Sequence, residues 1–76
     1  MKDEVRAFVL NDLLSGKLVA DDENLLLSGL VDSLGVMRLV AHLEKRHQVT
    51  IPPEDVVIEH FESIDAIAAY MARSAA

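Results

Sequence analysis

The chain contains no cysteine, which excludes a disulfide-stapled scaffold and any site built on a protein thiolate. Aromatic residues are scarce, 4% against 51% apolar residues, so any core must be aliphatic. No apolar run approaches the roughly 18 residues of a membrane span. Basic residues are outnumbered by acidic ones, 7 against 13, and the net charge is −6. Nucleic acid is thereby disfavoured as a partner, because its phosphates need a basic face. No segment alternates like a half-buried strand, and there is no internal repeat or low-complexity tract. The polar start Met1-Lys2-Asp3-Glu4 lacks the apolar core of a secretion signal. The expectation is a cytoplasmic protein, and a monomer.

What remains is a chain of 76 residues, read as one domain over 1–76 and near the lower limit for an unaided apolar core. Val5, Phe8, Val9 and Leu13 recur at helical spacing and predict a first helix to about Leu14, with Asp3 as its cap and Gly16 as its left-handed stop. Residues 18–32 carry no sustained periodicity. They hold Asp21-Asp22-Glu23 and then Leu25-Leu26-Leu27, whose leucines are expected to pin a long loop beneath the helices.

Asp32-Ser33 opens the clearest helix, to about His47, with Val36, Leu39, Val40 and Leu43 on its core face. Thr50-Ile51-Pro52-Pro53 breaks the chain, and Pro53 is suited to start a short helix over Glu54 to Val57. Ser63 then caps a last helix in which Ile64, Ile67, Ala68 and Met71 fall on one side. The fold class is all-α: a small bundle of three longer helices and one short helix, with a long loop between the first two.

The chemistry centres on Gly29-Leu30-Val31-Asp32-Ser33-Leu34-Gly35. A serine at a helix start exposes its hydroxyl beside unpaired backbone N–H groups, at the positive end of the helix dipole, where an anionic group is stabilised. The plainer reading is that Asp32 or Ser33 is only a helix cap, since both residue types are favoured there.

This stretch resembles the attachment site of acyl and peptidyl carrier proteins. The resemblance extends through Leu39-Val40-Ala41-His42-Leu43-Glu44, Val49-Thr50-Ile51-Pro52-Pro53-Glu54-Asp55 and Phe61-Glu62-Ser63-Ile64-Asp65-Ala66-Ile67-Ala68. It implies an acyl-carrier-like bundle in which Ser33 takes 4′-phosphopantetheine from coenzyme A and Asp32 orients it. The implied partners are a phosphopantetheinyl transferase, an acyl- or aminoacyl-loading enzyme and downstream biosynthetic enzymes. The arm supplies the thiol that the chain lacks. Cargo then rides as a thioester, and the chain itself is not an enzyme.

Leu34, Met37 and Ala41 form a second apolar stripe on the Ser33 helix, rotated away from its core face. Together with Arg38 they are the candidate partner-docking residues; packing beneath the long loop is the alternative. The same helix carries Arg38, Lys45 and Arg46 against the single acid Glu44. Fatty-acid-synthase carriers typically present an acidic helix here, and often an acidic residue at the second position after the serine. Asp-Ser-Leu-Gly is more similar to discrete aminoacyl carriers, such as the D-alanyl carrier, or to stand-alone peptidyl carriers. A type II fatty acid synthesis carrier is the alternative within the family, and a helical adaptor without the arm is the alternative outside it.

The histidines suggest no metal site. His42 and His47 lie five residues apart and point in different directions. His47 is expected to be half-buried near the core face, and His60 to lie in the loop before the last helix.

Overall fold

A run of 15 residues that begins at Ser33 and ends at His47 organises the molecule. The computed structural model describes residues 1–74, and the described residues form four α-helices and no strand: α1 (Lys2–Phe8), α2 (Ser33–His47), α3 (Ile58–Phe61) and α4 (Ile64–Ser74). The all-α class and the long loop between the first two helices are as expected.

Helix α2 follows its sequence signals closely. Asp32 caps its N-terminus, and Gln48 ends it in the left-handed conformation at φ 54°. Leu39, Val40 and Leu43 are buried as expected, while Val36 is only half-buried. Helix α4 is equally regular. The Ser63 hydroxyl accepts the Ala66 N–H at 3.0 Å, and Ile64, Ile67, Ala68 and Met71 are all buried.

The first helix departs from expectation at both ends. Asp3 is not its cap: it lies within the first turn of α1, and its carboxylate meets Arg6 at 2.7 Å. Helical structure already begins at Lys2, so Asp3 and Glu4 both fall in the first turn, where acidic residues favour the exposed N–H groups without capping them. Beyond Phe8 the helix widens into a π-turn over Val9–Leu13, with the Leu14 N–H reaching the Val9 carbonyl at 2.9 Å. The expected stop then holds. Ser15 and Gly16 both have positive φ, and the Gly16 N–H closes on the Leu10 carbonyl at 2.6 Å.

The second expectation to fail is the short helix over Glu54 to Val57. A 3₁₀ turn forms instead at Pro53–Asp55, and a separate turn, α3, follows at Ile58–Phe61. The β-branched pair Val56-Val57 between them is poorly suited to helix. His60 accordingly sits in α3 and not in a loop. Its Nδ1–H donates to the Asp55 carbonyl at 2.8 Å, while the Tyr70 hydroxyl donates to Asp55 Oδ2 at 2.7 Å. The His60 and Tyr70 rings stack with centroids 4.7 Å apart, so one acidic residue ties the 3₁₀ turn to both α3 and α4.

The long loop is pinned, but by fewer leucines than expected. Leu25 is buried, Leu26 half-buried and Leu27 is 83% exposed. The Asn24 side chain accepts both the Leu26 and Leu27 N–H groups, making a tight local turn that points Leu27 outward. Backbone bonds complete the anchoring: Leu25 N–H to the Glu62 carbonyl at 2.7 Å and Asp65 N–H to the Asp21 carbonyl at 3.0 Å. Asp21 is also clamped by Arg6 through two bonds of 2.9 and 2.6 Å. Those bonds hold the Asp21 carboxyl below its ordinary range and push the Arg6 guanidinium further up.

The other end of α2 is held by α1. Phe8 and His42 stack with centroids 4.1 Å apart. Glu4 faces both Arg46, at 2.9 Å, and the half-buried His47, at 3.0 Å.

Candidate functional site

Ser33 is the first residue of α2 and is exposed. Immediately before it, Asp32 adopts extended backbone, and its Oδ1 accepts the Gly35 N–H at 2.9 Å. The Val36 N–H is satisfied by the Asp32 carbonyl at 3.0 Å. The Ser33 and Leu34 N–H groups find no acceptor among the described residues. Two free donors and the positive end of a 15-residue helix thus surround the Ser33 hydroxyl. That is the setting in which a phosphodiester is stabilised, so the residues present suit a phosphopantetheine arm. Asp32, not Ser33, is the cap, which leaves the serine hydroxyl free for chemistry.

Beside Ser33 opens a groove of about 540 Å³, within the range of small-molecule sites. Its walls come from α2 (Val36, Met37), from the segment Val56-Val57-Ile58, and from Phe61 on α3, with Leu26 and Val31 of the long loop also lining it. Reading the sequence alone missed this groove. The available signal was Val56-Val57-Ile58, an apolar run after two prolines that no helical period could bury. The structure leaves Val57 39% and Ile58 61% exposed.

The stripe expected on α2 is exposed. Leu34 is 74% and Met37 61% accessible, and Ala41 and Arg38 are also on the surface, so packing beneath the long loop is not its role. Arg38 donates one hydrogen bond, to the Asp12 carbonyl at 3.4 Å, and makes no ion pair among the described residues. Lys45 makes no ion pair among the described residues. The helix's one acid, Glu44, is turned to a structural task, its Oε2 accepting the Ile51 N–H at 2.8 Å. The exposed face of α2 is therefore apolar and cationic, on a chain whose net charge is −6.

Among the described residues no group of His, Asp and Glu is arranged to hold a metal ion. No helix among them is long and apolar enough to cross a membrane.

Comparison with known proteins agrees with this geometry. The family described as "Phosphopantetheine attachment site" matches residues 9–71, a span that contains Ser33 and both walls of the groove. No curated protein sequence matches the chain. Among solved structures, a chain from "Crystal structure of FAD-dependent dehydrogenase" is 35% identical and superposes with a TM-score of 0.78. The match covers 88% of this chain and 97% of that one, so the two are of nearly equal length. The family match spans most of the sequence, and the chain belongs to the phosphopantetheine-attachment family of carrier domains, which bear that group covalently.

Proposed function

We propose that the protein is a discrete carrier that holds acyl or aminoacyl groups as thioesters on an arm attached to Ser33. The observation that carries this reading is the Ser33 hydroxyl, exposed at the start of α2 beside two free N–H groups and an apolar groove. In the attachment step the hydroxyl oxygen attacks the β-phosphorus of coenzyme A. The bond to the departing adenosine 3′,5′-bisphosphate breaks, and the serine proton passes to the transferase. Once attached, the arm supplies a terminal thiol for thioester formation. The test is the gain of one thiol by a chain that has none, dependent on Ser33.

The partner enzymes dock on Leu34, Met37, Arg38 and Ala41, the exposed face next to the arm. Apolar contact there is framed by Arg38 and Lys45, which complements enzymes with acidic rims. Bulk fatty acid synthesis fits less well, since its carriers rely on an acidic helix at this place. Aminoacyl, nonribosomal-peptide or polyketide-type metabolism in the cytoplasm is the setting we favour, with the carrier working as a monomer and performing no catalysis itself. The similarity to a chain of nearly equal length in the structure of a flavin-dependent dehydrogenase supports one further class of partner. Such an enzyme would remove two electrons and two protons from the tethered group and pass them to FAD.

A further inference from the structure

Gly35 occupies the second position after Ser33, in the first turn of α2, where glycine normally weakens a helix relative to alanine. The space around it explains the choice. A Cβ at this position would stand 2.8 Å from Val31 Cγ1, with Asp32 Oδ1 at 3.6 Å and Leu13 Cδ2 at 3.8 Å. Carbon atoms pack favourably at about 3.5–4.0 Å, so the first of these contacts is a clash.

Val31 is poorly placed to yield. It is 7% exposed within the core, its N–H donates to the Leu25 carbonyl at 3.0 Å, and its branched side chain is stiff at χ1. Residues 31, 32 and 33 are consecutive, so a displaced Val31 carries Asp32 and Ser33 with it. Gly35 is also the residue whose N–H the Asp32 cap holds. Both connections lead to the serine.

We infer that Gly35 is a positioning residue for Ser33: its missing side chain lets Val31 lodge under the first turn of α2, and that contact sets how the serine hydroxyl is offered to the modifying enzyme. The inference rests on Ser33 as the attachment residue.

The experiment follows arm addition from coenzyme A by a broad-specificity phosphopantetheinyl transferase. It compares the wild-type chain with Gly35→Ala, Val31→Ala and the double variant, each checked by circular dichroism and thermal melting. Gly35→Ala should lower the transferase's kcat for this substrate about tenfold or more, the scale of a small misplacement of a reacting group. KM should change little, because Leu34 and Met37 stay in place. Its melting temperature should fall, although alanine ordinarily favours helix. Val31→Ala removes the clashing methyl, so the double variant should regain most of the wild-type kcat. Modification of Gly35→Ala at the wild-type rate would overturn the inference, as would a folded double variant that remains slow. Should Gly35→Ala not fold, the double variant decides by the same criterion. A wild-type chain that takes no arm at Ser33 would instead refute the underlying attachment reading.

Discussion

Asp32 Oδ1 holds the Gly35 N–H at 2.9 Å, closing a loop of backbone around Ser33 that leaves the serine hydroxyl outside it. The cap satisfies one first-turn donor and leaves those of Ser33 and Leu34 open. One carboxylate thereby caps the helix at the residue just before the serine.

The two roles of Asp32 are separable. Asp32→Ala should cost about 1 kcal/mol, the usual loss on removing a cap, whereas Asp32→Asn should retain most of the stability because asparagine caps as well. If Asp32 also orients Ser33 through its charge, Asp32→Asn should slow arm addition while urea unfolding stays nearly unchanged. Equal rates for Asp32→Asn and wild type would reduce Asp32 to a cap.

Met37 is exposed and Leu43 buried on α2, and the two should respond differently. Met37→Glu should shift stability by no more than about 0.5 kcal/mol, as exposed substitutions do, yet slow modification or loading of Ser33. Leu43→Ala, at a site 1% exposed, should cost about 2–5 kcal/mol. Thermal melts together with loading kinetics check both. A large stability loss in Met37→Glu would remove the docking face.

Acid should loosen the long loop through Asp21. Hydrogen bonds from Arg6 hold the Asp21 carboxyl below its ordinary value of 3.8. A lowered folded pKa contributes stability that is present above the unfolded value and is lost as pH falls through the folded one. Asp21→Asn should therefore be less stable than wild type near neutral pH, with the gap closing as pH falls below 3.8 and through the lowered folded value. Urea melts across that range test this. A gap that persists in strong acid would show that shape, not charge, anchors the loop.

Charge on α2 separates the kinds of carrier. Arg38→Glu with Lys45→Glu should improve malonyl transfer by a fatty-acid-synthase malonyltransferase and impair the native loading enzyme, because complementary potentials speed association. The gain should fade as salt shortens the screening length from about 8 Å at physiological strength. If the unaltered protein is loaded as fast as a fatty-acid carrier, the fatty-acid reading takes first place.

The legible parts of the fold were those with a full helical period and a side-chain cap. Leu39, Val40 and Leu43 share one face of α2 between the caps Asp32 and Gln48; Ile64, Ile67, Ala68 and Met71 share one face of α4 after Ser63. At four residues, Ile58–Phe61 is too short to show a period, and it is held by tertiary contacts through Asp55, His60 and Tyr70. The π-turn after Phe8 was equally hidden, since Val9 and Leu13 fit an ordinary α-helical pattern. At the site, Ser33, Asp32 and the α2 stripe were readable because they lie on one continuous segment. The groove was not, because its walls come from residues 26–37 and 56–61, and only folding brings them together.

The most direct measurement is intact-mass spectrometry of the full chain after incubation with coenzyme A and a phosphopantetheinyl transferase, run beside Ser33→Ala. The wild type should gain the mass of one phosphopantetheine and then react once with a thiol reagent, while Ser33→Ala, shown folded by circular dichroism, should gain neither mass nor thiol. Modification that persists in Ser33→Ala, or that maps to Ser28 or Ser63, would contradict the assignment of Ser33 as the point of attachment.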